Sequence, residues 1–123
     1  MIGLVLYAMH PDRLSSFYGS LFEMDHTEID ATSFSLVRPG MEFHVVKIPE
    51  STARSFTLST PPVPRENTPL KFWIEVPDVA QLATSAQTLG GMIRGEPWNW
   101  SGRRLQDIVD PEGNIFQVFD RRP

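Results

Sequence analysis

Asp110-Pro111-Glu112-Gly113-Asn114-Ile115-Phe116-Gln117-Val118 is the stretch on which the fold turns. Proline fixes one turn position and Gly-Asn admits a positive φ, so residues 110–114 read as a tight turn. The residues after it alternate with the period of a strand: Phe116 and Val118 face one way, Ile115, Gln117 and Phe119 the other. An earlier segment, Pro39-Gly40-Met41-Glu42-Phe43-His44-Val45, repeats Glu112–Val118 at a displacement of 73, with Phe43 falling on Phe116 and Val45 on Val118.

A second matched block precedes each copy. Residues 3–9 lead into Pro11-Asp12 and then Leu14, Phe17, Tyr18, Leu21 and Phe22, a strand followed by a helix whose apolar positions recur three and four apart. Residues 71–76 lead into Pro77-Asp78 and then Val79, Leu82, Ala83, Ala86 and Leu89. The second block is the first displaced by 68, with His10 on Asp78, Leu14 on Leu82 and Leu21 on Leu89. Gly90-Gly91 supplies the helix stop, because glycine enters the left-handed region without a Cβ penalty. The five-residue difference between the two displacements is expected in the loop that holds residues 97–102. The pattern predicts an α+β chain of two tandem βαβββ modules, residues 1–49 and 70–123. Residues 50–69, rich in Ser, Thr and Pro, form the connector.

The whole chain is 123 residues, the size of one domain, with ordinary globular proportions of 41% hydrophobic and 21% charged residues. It has no cysteine, which removes disulfides, thiolate nucleophiles and thiolate metal ligands together. A net charge of -4 argues against a nucleic-acid partner, and no stretch approaches the length needed to cross a bilayer. The apolar run 1–9 lacks a basic leading segment and breaks at His10-Pro11-Asp12, so it reads as a buried first strand rather than a signal peptide, and the expected location is cytoplasmic.

With its repeat, the Asp110–Asn114 turn, the Phe17-Tyr18 pair and the Leu89-Gly90-Gly91 helix end, the chain resembles the vicinal oxygen chelate superfamily. This group holds glyoxalase I, extradiol dioxygenases, and the fosfomycin and bleomycin resistance proteins. The resemblance implies curved mixed sheets around a cleft. It also implies four inward positions that bind a divalent metal in many members, here Gly3, His44, Lys71 and Gln117. Glycine has no side chain to coordinate with, lysine is a cation without a free lone pair, and glutamine offers a neutral oxygen. His44 alone is a good ligand, too few for the usual His and carboxylate set. Glu42, His44 and Glu75 would make an acidic alternative, but not in the family's arrangement. No metal and no cofactor are therefore expected, and the family's metal-free, bleomycin-resistance-like branch is the nearest in character.

Strand alternation sorts the remaining candidates. Ile2, Leu4 and Leu6, and Leu70, Phe72, Ile74 and Val76, are expected to pack under helices. Tyr7, His44, Lys71, Trp73, Glu75, Gln117 and Phe119 are left for the cleft, an aromatic surface with sparse polar groups of the kind that holds a small molecule. Trp98 and Trp100, flanked by Pro97 and Ser101-Gly102, are expected on irregular backbone as a lid. Each has a plainer reading as well. Lys71 and Glu75 form a surface ion pair, His44 is a half-buried hydrogen-bonded side chain, Trp73 is core, and Trp98 and Trp100 sit in a dimer interface. Arg103-Arg104 and Arg121-Arg122 read as solvated charges at strand ends.

The function expected from these residues is metal-independent binding of an apolar or aromatic small molecule, by a homodimer. The alternatives are a metal-dependent lyase, isomerase or dioxygenase of the same superfamily, and a metal-free enzyme with His44 or Glu75 as base and Lys71 as electrostatic stabiliser. A regulatory module whose cleft is only a partner surface completes the set.

Overall fold

A computed structural model of the protein describes residues 2–55 and 57–122. The chain divides into two compact units, 1–57 and 58–123, a division that falls inside the segment read as connector. The first unit holds β1 (Gly3–Ala8), α1 (Pro11–Leu21), β2 (Asp25–Asp30), β3 (Ser33–Arg38), β4 (Met41–Lys47) and a one-turn α2 (Glu50–Ala53) that the sequence pattern does not signal. The second holds β5 (Trp73–Glu75), α3 (Val79–Thr88), β6 (Met92–Trp100), β7 (Arg103–Val109) and β8 (Ile115–Arg121). The two sheets have the same order, β1-β4-β3-β2 and β5-β8-β7-β6. In each, the first strand runs parallel to the last and the other neighbours are antiparallel. The βαβββ repeat is thus present in both units.

The helices show how closely the repeat holds. His10 and Asp78 are the N-caps, 68 positions apart, and the Asp78 carboxylate accepts from the Gln81 N–H at 3.0 Å. The C-caps are Phe22 and Leu89, 67 apart, because α3 is one residue shorter than α1. Both helices close with the same motif: Met24 N–H donates to the Gly19 carbonyl at 2.9 Å, and Gly91 N–H to that of Ala86 at 2.8 Å. Gly90 takes the left-handed residue at φ +98°, whereas Glu23 takes it at +52° despite its Cβ.

In the first unit, Leu14, Phe17, Tyr18 and Leu21 pack onto Leu36, Phe43 and Val45, with the Tyr18 ring edge-on to Phe43 at 5.6 Å. In the second, α3 presents the small side chains Ala83 and Ala86 beside Val79, and all three are buried as it packs on β6, β7 and β8. Asp120, nearly buried, accepts from the Val79 N–H at 2.8 Å and so fixes the helix start to the last strand.

Three expectations change. Ile2 and Leu70, assigned to packing faces, are exposed, because each lies just outside its strand, and β5 is shorter than residues 71–76. Trp98 and Trp100 are not on a loop: they lie in β6, opposite Leu105 and Arg103. The extra length of the second module is divided between a bulge from Arg94 to Trp98 and the turn before β8. Gln106 makes the bulge tolerable by donating to the Arg94 and Gly95 carbonyls at 3.0 and 3.1 Å.

The turn at residues 110–114 is built around Asp110, which is fully buried. Its carboxylate accepts from the N–H groups of Glu112 and Asn114 at 2.8 and 3.0 Å and from the Asn114 amide at 2.8 Å. Gly113 has φ +89°, and a Cβ there would stand 2.3 Å from the Val63 carbonyl oxygen. Arg65 N–H donates to the Gly113 carbonyl at 2.8 Å, so part of the connector is tied to this turn. Gly113→Ala is expected to destabilise the protein by roughly 2–4 kcal/mol through backbone strain and that overlap. A lowered urea midpoint checks this; an unchanged one contradicts it.

Candidate functional site

Both sheets carry their helix on one side, and the opposite faces hold the candidate residues. On the helix-free face of the first sheet, Gly3 lies opposite Glu42, Val5 opposite His44 and Tyr7 opposite Val46. The His44 side chain is 52% exposed, and its Nε2 lies 3.3 Å from Glu42 Oε1, an ion pair when the imidazole is protonated. Tyr7 and Val5 are exposed beside it. The sequence reading thus places Tyr7 and His44 on one face of the first unit, in company with Glu42.

The helix-free face of the second sheet is richer. Ladder pairing puts Trp73 opposite Gln117, Glu75 opposite Phe119, Phe119 opposite Leu105, and Arg103 opposite both Trp100 and Arg121. Trp73 and Phe119 lie 4.4 Å apart between ring centroids, and Trp100 is 6.3 Å from Trp73. Phe119 is buried beneath this group, while Trp73 and Trp100 remain 44% and 57% exposed. Trp73 is therefore neither core nor free: it packs against Phe119 and Trp100 and keeps nearly half of its surface open. Trp98 shares the face through its pairing with Leu105 and is also partly exposed.

The polar candidates find partners other than those expected. Lys71 does not pair with Glu75. Its Nζ stands 3.4 Å from Asp107, and Arg94 lies 3.6 Å from the same carboxylate while also holding Glu66. Glu75 accepts from Arg121 Nε at 2.8 Å. These separate pairs keep Lys71 and Glu75 apart in role although both lie near Trp73.

Arg103 is the main residue missed in the sequence. Its guanidinium carbon stands 5.4 Å from the ring centroids of Trp73 and Trp100 and 5.5 Å from that of Phe119. Cation–π attraction of this kind contributes on the order of 0.5–2 kcal/mol. The signal lay in Ser101-Gly102: both take positive φ, +50° and +74°, making a two-residue hairpin turn that sets Arg103 directly across from Trp100. At the same hairpin a depression of about 560 Å³ is lined by Pro97, Asn99, Gly102, Arg103, Arg104 and Arg122. Apart from Arg103, none of the aromatic group lines it.

The donor set expected for a divalent metal does not fit one. Gly3 offers no ligand, Lys71 is a cation held on Asp107, and Gln117 offers one neutral oxygen. Among the described residues no group of three or more His, Asp or Glu is arranged to hold an ion.

The fold and these faces define a two-module α+β protein of the glyoxalase/bleomycin resistance type. The glyoxalase-like domain family matches residues 3–119, and the chain belongs to that family, within the vicinal oxygen chelate superfamily. It is similar in fold to a glyoxalase/bleomycin resistance protein/dioxygenase family enzyme from Burkholderia phytofirmans. That match has a TM-score of 0.71 at 14% identity, over 98% of this chain and 95% of the other. The bleomycin resistance determinant encoded on transposon Tn5 matches with a TM-score of 0.66 at 16% identity, over 100% and 98%. A fosfomycin resistance protein from Listeria monocytogenes matches with 0.68 at 12%, over 96% and 87%. At these identities the likeness is one of fold. No curated protein sequence matches the chain.

Truncating a core tryptophan costs about 3–5 kcal/mol. With nearly half of its surface exposed, Trp73→Ala is expected to cost about 1–2 kcal/mol in urea unfolding and to leave the far-ultraviolet spectrum native. A loss in the core range would make Trp73 structural.

Proposed function

We propose that the chain is a single ligand-binding domain, residues 1–123, that acts as a homodimer and holds a flat aromatic small molecule without a metal ion. The observation that carries this reading is the half-packed aromatic shelf of the second unit: Phe119 buried as its base, Trp73 and Trp100 open above it. Exposed indoles held in fixed positions give a planar ligand stacking area at little cost in side-chain ordering. The polar groups around the shelf supply orientation: Gln117 across the ladder from Trp73, and Lys71 and Glu75 at either end of the Trp73 strand. Trp98 extends the same face. Tyr7 and His44 are assigned to binding through the first unit's own helix-free face.

Metal independence rests on the donor set, in which Gly3 and Lys71 stand at two of the four family positions. The metal-free enzyme reading is weaker than binding, because both proposed bases are already engaged, Glu75 by Arg121 and His44 by Glu42.

Tryptophan fluorescence of the full chain titrated with 2-naphthylmethanol, a neutral planar probe, tests the proposal. Saturable quenching is expected, with one site per chain on a species that light scattering sizes above the 13.9 kDa of one chain. Trp73→Ala, still folded, is expected to weaken it about tenfold or more. Quenching that stays linear in probe, or that Trp73→Ala leaves unchanged, contradicts the reading.

A further inference from the structure

Four cations lie on or beside the helix-free face of the second sheet among the described residues: Lys71, Arg94, Arg103 and Arg121. Three have carboxylates. Lys71 and Arg94 share Asp107, Arg94 also holds Glu66, and Arg121 is bound to Glu75. Arg103 has none: no Asp or Glu of the described residues stands within ion-pair distance of it. Among the described residues its Nε is buried without an acceptor, and the one polar contact of its side chain is Nη1 donating to the Ser101 carbonyl at 3.4 Å.

Taking a guanidinium partly out of water without a counter-charge is unfavourable. Three aromatic rings offset part of that cost by attraction to the cation, but they accept none of its N–H bonds in the manner of a carboxylate. The side chain is therefore fixed in direction and left with donors to spare, inside a shelf of exposed aromatic rings. A second observation agrees in sign. The neighbouring depression is lined by Arg103, Arg104 and Arg122 and by no acidic residue. Arg122 is paired with Asp120, but Arg104 has no hydrogen-bond or ion-pair partner among the described residues. In a chain of net charge -4 this adds positive potential at the hairpin that carries Arg103, with Arg104 and Arg122 on the helix side of the sheet.

We propose that Arg103 selects the ligand: the site takes a planar aromatic oxyanion, its ring on Trp73 and Trp100 and its carboxylate or phosphate on the Arg103 guanidinium. The planar fork of arginine binds two oxygens of either group, and the rings beside it hold the guanidinium in place for them. Arg103 is thereby a specificity residue, and the proposal rests on reading this shelf as the binding surface.

Four probes of one ring system separate the terms: 2-naphthoate, 2-naphthyl phosphate, 2-naphthylmethanol and 2-naphthylmethylamine, each titrated into the full chain and read by tryptophan quenching. At least one anion is expected to bind about tenfold tighter than the alcohol, with the amine weakest and the gap narrowing as salt is raised. Which anion leads tells carboxylate from phosphate. In Arg103→Met the gap should shrink to about threefold or less while the alcohol still binds. Arg103→Lys, which keeps the charge but not the fork, should fall between, and it serves where the methionine variant does not fold. Equal binding of anion and alcohol, or a gap that survives Arg103→Met, overturns the proposal while leaving the aromatic shelf as a binding site. Failure of all four probes to saturate overturns both.

Discussion

In each unit the first strand lies parallel to the last, and that pairing decides which side chains meet. A parallel neighbour cannot be reached by a tight hairpin, so the chain must cross over through a helix, which then covers one face of the sheet. Because side chains alternate with a strict period of two, the pairing sends every second residue to the helix and the rest to the bare face. Ile74, Val76, Phe116 and Val118 are buried on the helix side of the second unit, while Trp73, Gln117 and Phe119 are set beside one another on the other. The same rule in the first unit buries Leu36, Phe43 and Val45 and leaves Val5, Tyr7 and His44 outside.

Much of this was legible in the sequence. The helix stop at Gly90-Gly91, the turn at Asp110–Asn114 and the alternation around Phe43 and Phe116 are local signals, each set by the conformational preference of the residues that carry it. What sequence reasoning missed depends on register across strands. Trp98 and Trp100 read as loop residues because Pro97 and Gly102 surround them, yet the bulge at residues 94–98 absorbs the proline and Gln106 satisfies the carbonyls it frees. Arg103 read as a solvated charge because the Ser101-Gly102 turn signals only its place across from Trp100, while its contacts with Trp73 and Phe119 come from distant strands that no spacing along the chain encodes. The partners of Lys71 and Glu75 were missed for the same reason: Asp107 and Arg121 lie 36 and 46 residues away.

The departures from the superfamily's metal-binding pattern are local, and they change the chemistry without disturbing the fold. Gly3 stands where its backbone approaches β4, with a Cβ position 3.3 Å from the Glu42 carbonyl oxygen, so a residue with a side chain there needs β4 to give by a few tenths of an ångström. Lys71 sits two residues before Trp73, its charge taken up by a nearly buried Asp107. Two of four ligand positions are thus occupied by residues with structural or electrostatic roles of their own. A cation held at the second module's first position would repel a divalent ion. What the helix-free face of the second sheet carries instead, among the described residues, is an aromatic group and an arginine without a carboxylate partner.

Recognition of an aromatic ligand without a metal ion, as proposed, is tested by calorimetric titration of chelator-stripped protein with Zn²⁺, Ni²⁺, Mn²⁺ and Fe²⁺. No stoichiometric heat is expected with any of the four, and aromatic-probe binding should be unaltered after metal addition. Tight one-to-one binding of any of them, abolished by His44→Ala, would contradict it and restore metal-assisted chemistry to this site.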